Sequence, residues 1–156
     1  MLAELYIDNF IIIKKDHIFF EDRFNVITGE TGSGKSIILE AINLLLGKRA
    51  SKDIIGKFKD STIIEAVFIL DEDQKLYLEN KDISFDDDKL IITRKISDKS
   101  SSIRINGRLS NLNILKDIGE FLIDIYRQGD SNVYMNKSNY INLIDSYQND
   151  QETKSL

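Results

Sequence analysis

Gly29, Gly34, Lys35 and Ser36 stand at the spacing G-x-x-x-x-G-K-S, with Glu30, Thr31, Gly32 and Ser33 filling the loop between them. That pattern is suited to holding a polyphosphate. The glycines let successive backbone N–H groups turn inward toward phosphate oxygens. Gly34 removes a side chain where phosphate must come close. Lys35 can reach the outer phosphates as a point charge. Ser36 offers a hydroxyl to Mg²⁺. A helix starting at this point adds the positive end of its dipole. The chemistry implied is binding of a nucleoside triphosphate with Mg²⁺. A guanine reader of the form Asn-Lys-x-Asp is missing. In "NKSN" (136–139), Asn139 stands where the aspartate would be, and "NKDI" (80–83) fits only its first three letters. ATP is therefore favoured.

A phosphate loop works only between a strand and a helix. Residues 24–28 (FNVIT) have strand composition and run directly into Gly29. Residues 35–46 are apolar nearly all round, with Gly47 as a stop, which predicts a helix buried on most sides. Residues 2–10 read as a strand, and Phe19-Phe20 as a further short one, with 21–23 as a turn. Residues 62–70, 90–96 and 102–105 read as three more, and 71–88 as an acidic, turn-rich connection. Asn106-Gly107 marks a tight turn, because both residue types tolerate positive φ. Residues 112–118 predict a short helix capped by Ser110 or Asn111 and stopped by Gly119, followed by a buried strand over 121–126. Tyr140, Leu143, Ile144 and Tyr147 have the spacing of a last amphipathic helix. The expected domain is 1–147, with 148–156 a polar tail.

The chain has 156 residues, 42% hydrophobic and 30% charged, which suits one folded domain with a real core. No apolar run approaches membrane-spanning length, so no membrane partner is expected and a cytoplasmic protein is the simplest reading. Cysteine is absent, which excludes disulfides and thiolate metal sites within this chain. Net charge is −5, yet cations gather in two groups: Lys48, Arg49, Lys52, Lys57 and Lys59, then Arg94, Lys95, Lys99, Arg104 and Arg108. These are solvated surfaces or faces toward a nucleic-acid backbone.

Three stretches together, "LAELYIDNFIII", "FNVITGETGSGKSIILEAINLLLGKRAS" and "RINGRLSNLNILKDIGEFLIDIYRQ", closely resemble the start of the RecN family of DNA-repair ATPases, bacterial relatives of the SMC proteins. The resemblance covers residues 1 to about 147. It implies an α/β P-loop NTPase fold: the N-terminal lobe of an ABC- or SMC-like head, a mixed sheet with an antiparallel arm around a buried P-loop helix. It implies ATP and Mg²⁺ as cofactors, ATP hydrolysis in the full-length family, and action at DNA double-strand breaks in the nucleoid. Gly29, Glu30, Thr31, Gly32, Ser33, Gly34, Lys35 and Ser36 correspond to the phosphate-binding residues, with Ser36 on the metal. Gln128 corresponds to the Q-loop glutamine, on Mg²⁺ or the attacking water, and Arg49 to an arginine that in SMC-like heads lies near nucleotide and DNA. Around Gln128, Tyr126 and Arg127 replace residues that are usually histidine and glycine in the family.

Hydrolysis in this class needs an Asp-Glu strand end and a Ser-Gly-Gly signature helix; no Ser-Gly-Gly occurs in the sequence, and neither element is recognised in it. The expectation is thus a nucleotide-cradling lobe that partners a C-terminal lobe or second head, with DNA as a further partner. Two other readings stay open: a self-sufficient small P-loop kinase, and a remnant or regulatory module that pairs with full-length heads.

Overall fold

The computed structural model describes residues 1–28 and 34–123. Their chain order is strand β1 (Leu2–Phe10), β2 (Ile13–Phe19), helix α1 (Lys35–Leu45), β3 (Ser61–Ile69), α2 (Glu72–Asn80), β4 (Lys89–Ser97), β5 (Ser101–Ile105), β6 (Arg108–Ser110) and α3 (Leu112–Leu122). The strands form one sheet in the order β2-β1-β3-β4-β5-β6, and every pairing among the described residues is antiparallel. This is the antiparallel arm expected of residues 2–20, 62–70 and 90–105.

Alternation decides which face is inside. In β3, Thr62, Ile64, Ala66 and Phe68 are buried; in β4, Leu90, Ile92, Arg94 and Ile96 are. Register lines these up in rows across the sheet. Leu5, Ala66, Ile92 and Ile105 form one row, and Ile7, Ile64, Arg94 and Ile103 the next. The second row holds a cation among aliphatic side chains. Helix α1 lies on this face against β1, β3 and β4, burying Ala41, Ile42, Leu44 and Leu45. Fully burying a leucine or isoleucine side chain of this kind contributes about 1.5–3 kcal/mol.

Helices α1 and α3 meet at backbone distance. A Cβ added to Gly119 would sit 2.6 Å from the Leu46 carbonyl oxygen, and one added to Gly47 would sit 2.7 Å from Cα of Lys116. Gly119 is therefore not the stop that its residue type suggests. The helix continues through it to Leu122, because Leu115, Ile118 and Leu122 keep one apolar stripe in the core. Phe121 and Leu122, read from sequence as the start of a strand, are the last residues of α3. The cap is Asn111, whose Oδ1 accepts from the N–H groups of Asn113 and Ile114, both at 3.0 Å.

Residues 71–88 contain a helix that the acidic composition hid. Asp71 Oδ1 accepts from Gln74 N–H at 2.8 Å while Gln74 Oε1 accepts from Asp71 N–H at 3.2 Å, a capping box. Lys75 then reaches Asp88 at 2.6 Å and Glu72 at 2.9 Å, and the bonds to Asp88 and then Glu72 hold its pKa above the usual lysine value. Asn106 and Gly107, at φ 44° and 76°, make the expected tight turn between β5 and β6.

Residues 24–28 are not a strand. Phe24 is 85% exposed and Val26 65% exposed, and among the described residues no strand pairs with them. Strand composition alone gives no ladder; a neighbouring edge must accept the hydrogen bonds. Phe19 is the last residue of β2, which pairs along β1 from Phe19 opposite Glu4 to Ile13 opposite Phe10, and Phe20 just beyond it donates its N–H to the Ala3 carbonyl at 2.8 Å. The expected final helix at 140–147, the tail at 148–156 and Gln128 lie outside the described residues.

Candidate phosphate cradle and its surroundings

Of the loop residues, Gly29, Glu30, Thr31, Gly32 and Ser33 lie outside the described residues; Gly34, Lys35 and Ser36 are within them. Gly34 has φ 105° and ψ −9° and stands as the N-cap of α1. A residue with a Cβ is strained at that φ, although space around it is open. The Gly34 carbonyl accepts from the N–H groups of Ile37 and Ile38, each at 3.0 Å, and so begins the helical ladder.

The three helices start differently. Asp71 caps α2 and Asn111 caps α3 with side-chain oxygens, whereas α1 has no side-chain cap among the described residues and no acidic residue in its first turn. The first N–H groups of a helix need an acceptor from outside it. At α1 that acceptor is not a side chain among the described residues, and the dipole there favours an anion. Ser36 is exposed on the first turn of α1, next in sequence to the half-buried Lys35.

The cradle is flanked by open apolar surface. Leu39 in the first half of α1 is 45% exposed, and Ile27 just before the loop is 42% exposed. The C-terminal half of α1 is closed off by the sheet and α3, so the helix is buried at one end rather than throughout.

Arg49 is exposed in the loop after α1. It follows the C-terminal end of that helix, whose 11 residues at ~1.5 Å each put roughly 16 Å between the two ends. Arg49 lines a groove with Arg94, Ser101 and Asn111. Arg94, counted in the sequence with surface cations, is 3% exposed. Its Nη1 donates to the Leu44 carbonyl at 2.7 Å and to the Lys48 carbonyl, so it supplies from β4 the positive charge that the end of α1 lacks in its own last turn. Burial pushes its pKa down. Arg94 therefore cannot face a duplex backbone. Two further cations are paired: Lys48 with Glu40 at 2.7 Å, and Lys59 with Asp8. Arg49, Lys52, Lys57, Lys95, Lys99, Arg104 and Arg108 remain on the exposed surface.

Asn9 is a second residue that the sequence did not single out. It is fully buried, with φ 56°. Its Nδ2 donates to the carbonyls of Lys59 (2.8 Å) and Ser61 (2.9 Å), and its Oδ1 accepts from Phe58 N–H (2.9 Å). It thereby shapes the loop from α1 back into β3. An Asn at a strand end followed by apolar residues is the only local trace of this role.

A family described as an AAA domain matches residues 4–156. The DNA repair protein RecN of Halalkalibacterium halodurans is 38% identical over 150 residues, and that of Bacillus subtilis 37% over 150. Each alignment covers 94% of this chain and 26% of the relative, so the chain spans about a quarter of the length of these curated proteins. Among solved structures, an SMC ATPase chain studied for ATP-driven dimerization and DNA-stimulated activation superposes with TM-score 0.67 at 25% identity, covering 94% of this chain and 98% of that one. The Smc head domain of Pyrococcus furiosus, bound to the C-terminal domain of ScpA, gives TM-score 0.69 at 25% identity over 93% of this chain and 41% of that one. The resemblance to RecN and the P-loop lobe fold are thus borne out. No helix among the described residues is long and apolar enough to cross a membrane.

Proposed function

The chain belongs to the AAA domain family, and from that premise we propose that it is the ATP-binding lobe of a RecN-like DNA-repair ATPase. The observation that carries this is the start of α1: a left-handed Gly34, then Lys35 and Ser36, on a helix whose N-terminus no side chain among the described residues caps. The cradle amides from Gly29 to Gly34, with Glu30, Thr31, Gly32 and Ser33 between them, would surround the phosphates. Lys35 would stand on the outer phosphates and Ser36 on Mg²⁺, with Gln128 on the metal or the attacking water.

The lobe's share of the chemistry is binding and charge neutralisation. The Asp71-Glu72 pair that follows β3 is taken up by α2, Asp71 as its cap and Glu72 paired with Lys75, and the sequence contains no Ser-Gly-Gly to close over the γ-phosphate. A second lobe or a second head would supply the base and the closing helix. The exposed Phe24, Val26, Ile27 and Leu39 beside the cradle support such a cover. DNA would be a partner of the assembled head, reached through the exposed cations named above, and the protein would work in the cytoplasm at the nucleoid.

Binding of a fluorescent ATP analogue with Mg²⁺ tests the reading. The chain should bind saturably, and Lys35→Ala should weaken binding at least about tenfold, or ~1.4 kcal/mol. Hydrolysis should stay far below the ~10 s⁻¹ typical of complete enzymes. An unchanged affinity in Lys35→Ala would refute the cradle, and full turnover by this chain would refute the division of labour.

A further inference from the structure

The two ends of the sheet differ in charge. At one end, residues 71–88 join β3 to β4 and hold eight carboxylates against two lysines. At the other end lie the turn from β1 to β2 and residues 52–60, which lead into β3. There Lys14, Lys15, Lys52 and Lys57 stand against Asp16, Asp53 and Asp60, and Lys59 is paired with Asp8. The nine residues of β3 separate the ends by roughly 27 Å. That is well beyond a screening length of about 8 Å, so each end acts on its surroundings separately.

The lysine end carries an apolar tip. Ile12 is 65% exposed and Phe58 is 53% exposed. Lys14 Nζ lies 5.9 Å from the centre of the Phe58 ring, and Lys57 precedes Phe58 in the chain. The tip is held firmly. Ile11 donates its N–H to the Ile54 carbonyl at 2.8 Å, Phe10 bridges to Ile55, and Asn9 Oδ1 accepts from Phe58 N–H. Ile11 has φ 52°, a conformation that strains a β-branched residue. A fixed, exposed apolar knob loses little freedom on docking.

The acidic end carries a recess. Residues 81–84, β6 and the start of α3 border a groove of about 190 Å³. Ile83, Leu109 and Ile114 give it apolar walls, and Leu109 is 72% exposed. Asp82 borders it, and the exposed Asp86 and Asp87 follow in the same loop. Asp88 is taken up by Lys75. Of the two cations on the border, Lys81 lies over the Tyr77 ring at 5.7 Å and Arg108 is exposed. Knob and groove stand at opposite corners of the sheet, beside β2 and β6, so one chain cannot join them.

We propose that the tip docks into this groove on a second copy of the chain. Ile12 and Phe58 enter between Ile83, Leu109 and Ile114, and Lys14 and Lys57 meet the carboxylates of the 82–88 loop. The contact joins two different surfaces, so it repeats from copy to copy and does not close on itself. A patch this small gives weak, transient association. No cradle residue takes part and no nucleotide is needed, so the contact stands or falls separately from ATP binding.

Sedimentation velocity without nucleotide, over a wide range of concentration, tests it. The parent carries Phe24→Ser and Val26→Thr, which removes the apolar surface beside the cradle. Its average mass should rise with concentration, and less so at high salt. Ile12→Asp and Leu109→Ser, each added to the parent at a mostly exposed position, should weaken association at least about tenfold without lowering the melting temperature. An equimolar mixture of the two should form dimers and nothing larger, because the Ile12→Asp chain keeps its groove and the Leu109→Ser chain keeps its knob. A parent that stays monomeric, an association that survives either substitution, or a mixture that stays monomeric overturns the contact.

Discussion

Gly119→Ala should loosen the junction of α1 and α3. The new Cβ would lie 2.6 Å from the Leu46 carbonyl oxygen, 2.8 Å from Leu46 Cα and 2.9 Å from Leu46 C. Carbon atoms rest at about 3.5–4.0 Å, so the helices must part by a sizeable fraction of an ångström. The opposing atoms are all main chain, which has no rotamer to change. Overpacking of this kind costs about 1–3 kcal/mol, and a backbone clash belongs at the upper end. Alanine recovers about 1 kcal/mol of helix propensity over glycine. The net expectation is a loss of roughly 2 kcal/mol, a fall of about 4–8 °C in melting temperature for a domain of this size. Thermal and urea unfolding followed by circular dichroism would measure it. A melting temperature equal to or above that of the parent would refute the reasoning. It would mean that α3 ends before Gly119, as its residue type alone suggests, and that the α1–α3 contact is not formed.

Asn9→Ala should cost about 3 kcal/mol in urea unfolding, because it strands the Lys59 and Ser61 carbonyls and the Phe58 N–H that the side chain now serves. Asp71→Ala should cost about 1 kcal/mol by the same assay, the usual worth of a lost N-cap, and a neutral result would remove the capping box from the account of α2. Phe24→Ser combined with Val26→Thr should raise the monomer fraction in sedimentation velocity, since both side chains are mostly exposed. An unaltered distribution would show that this surface does not drive self-association. DNA affinity of a head assembled with its second lobe should fall steeply with added salt, and Lys95→Ala should reduce the slope of log affinity against log salt by about 1. A salt-independent affinity would remove the phosphate backbone from the interaction.

Much of this molecule is local in origin. The cradle is a matter of glycines, one lysine and one serine at fixed spacing, and the α1 helix that follows is set by a mostly apolar, helix-compatible run, broken only by Glu40 and Asn43 after its first turn, ending at Gly47. The alternation in β3 and β4, and the Asn106-Gly107 turn, are likewise consequences of period and of positive φ. Residues such as these carry their instruction within a few positions of the chain. What tertiary structure alone decided concerns partners far away in sequence. Arg94 looks like its cationic neighbours until register puts it beside Ile64 and aims it at the end of α1. Gly119 reads as a helix stop until Leu46 occupies the place of its missing side chain. Residues 24–28 have the composition of a strand and lack an edge to pair with among the described residues. In each case the deciding interaction spans tens of residues, and neither propensity nor periodicity carries information over that distance.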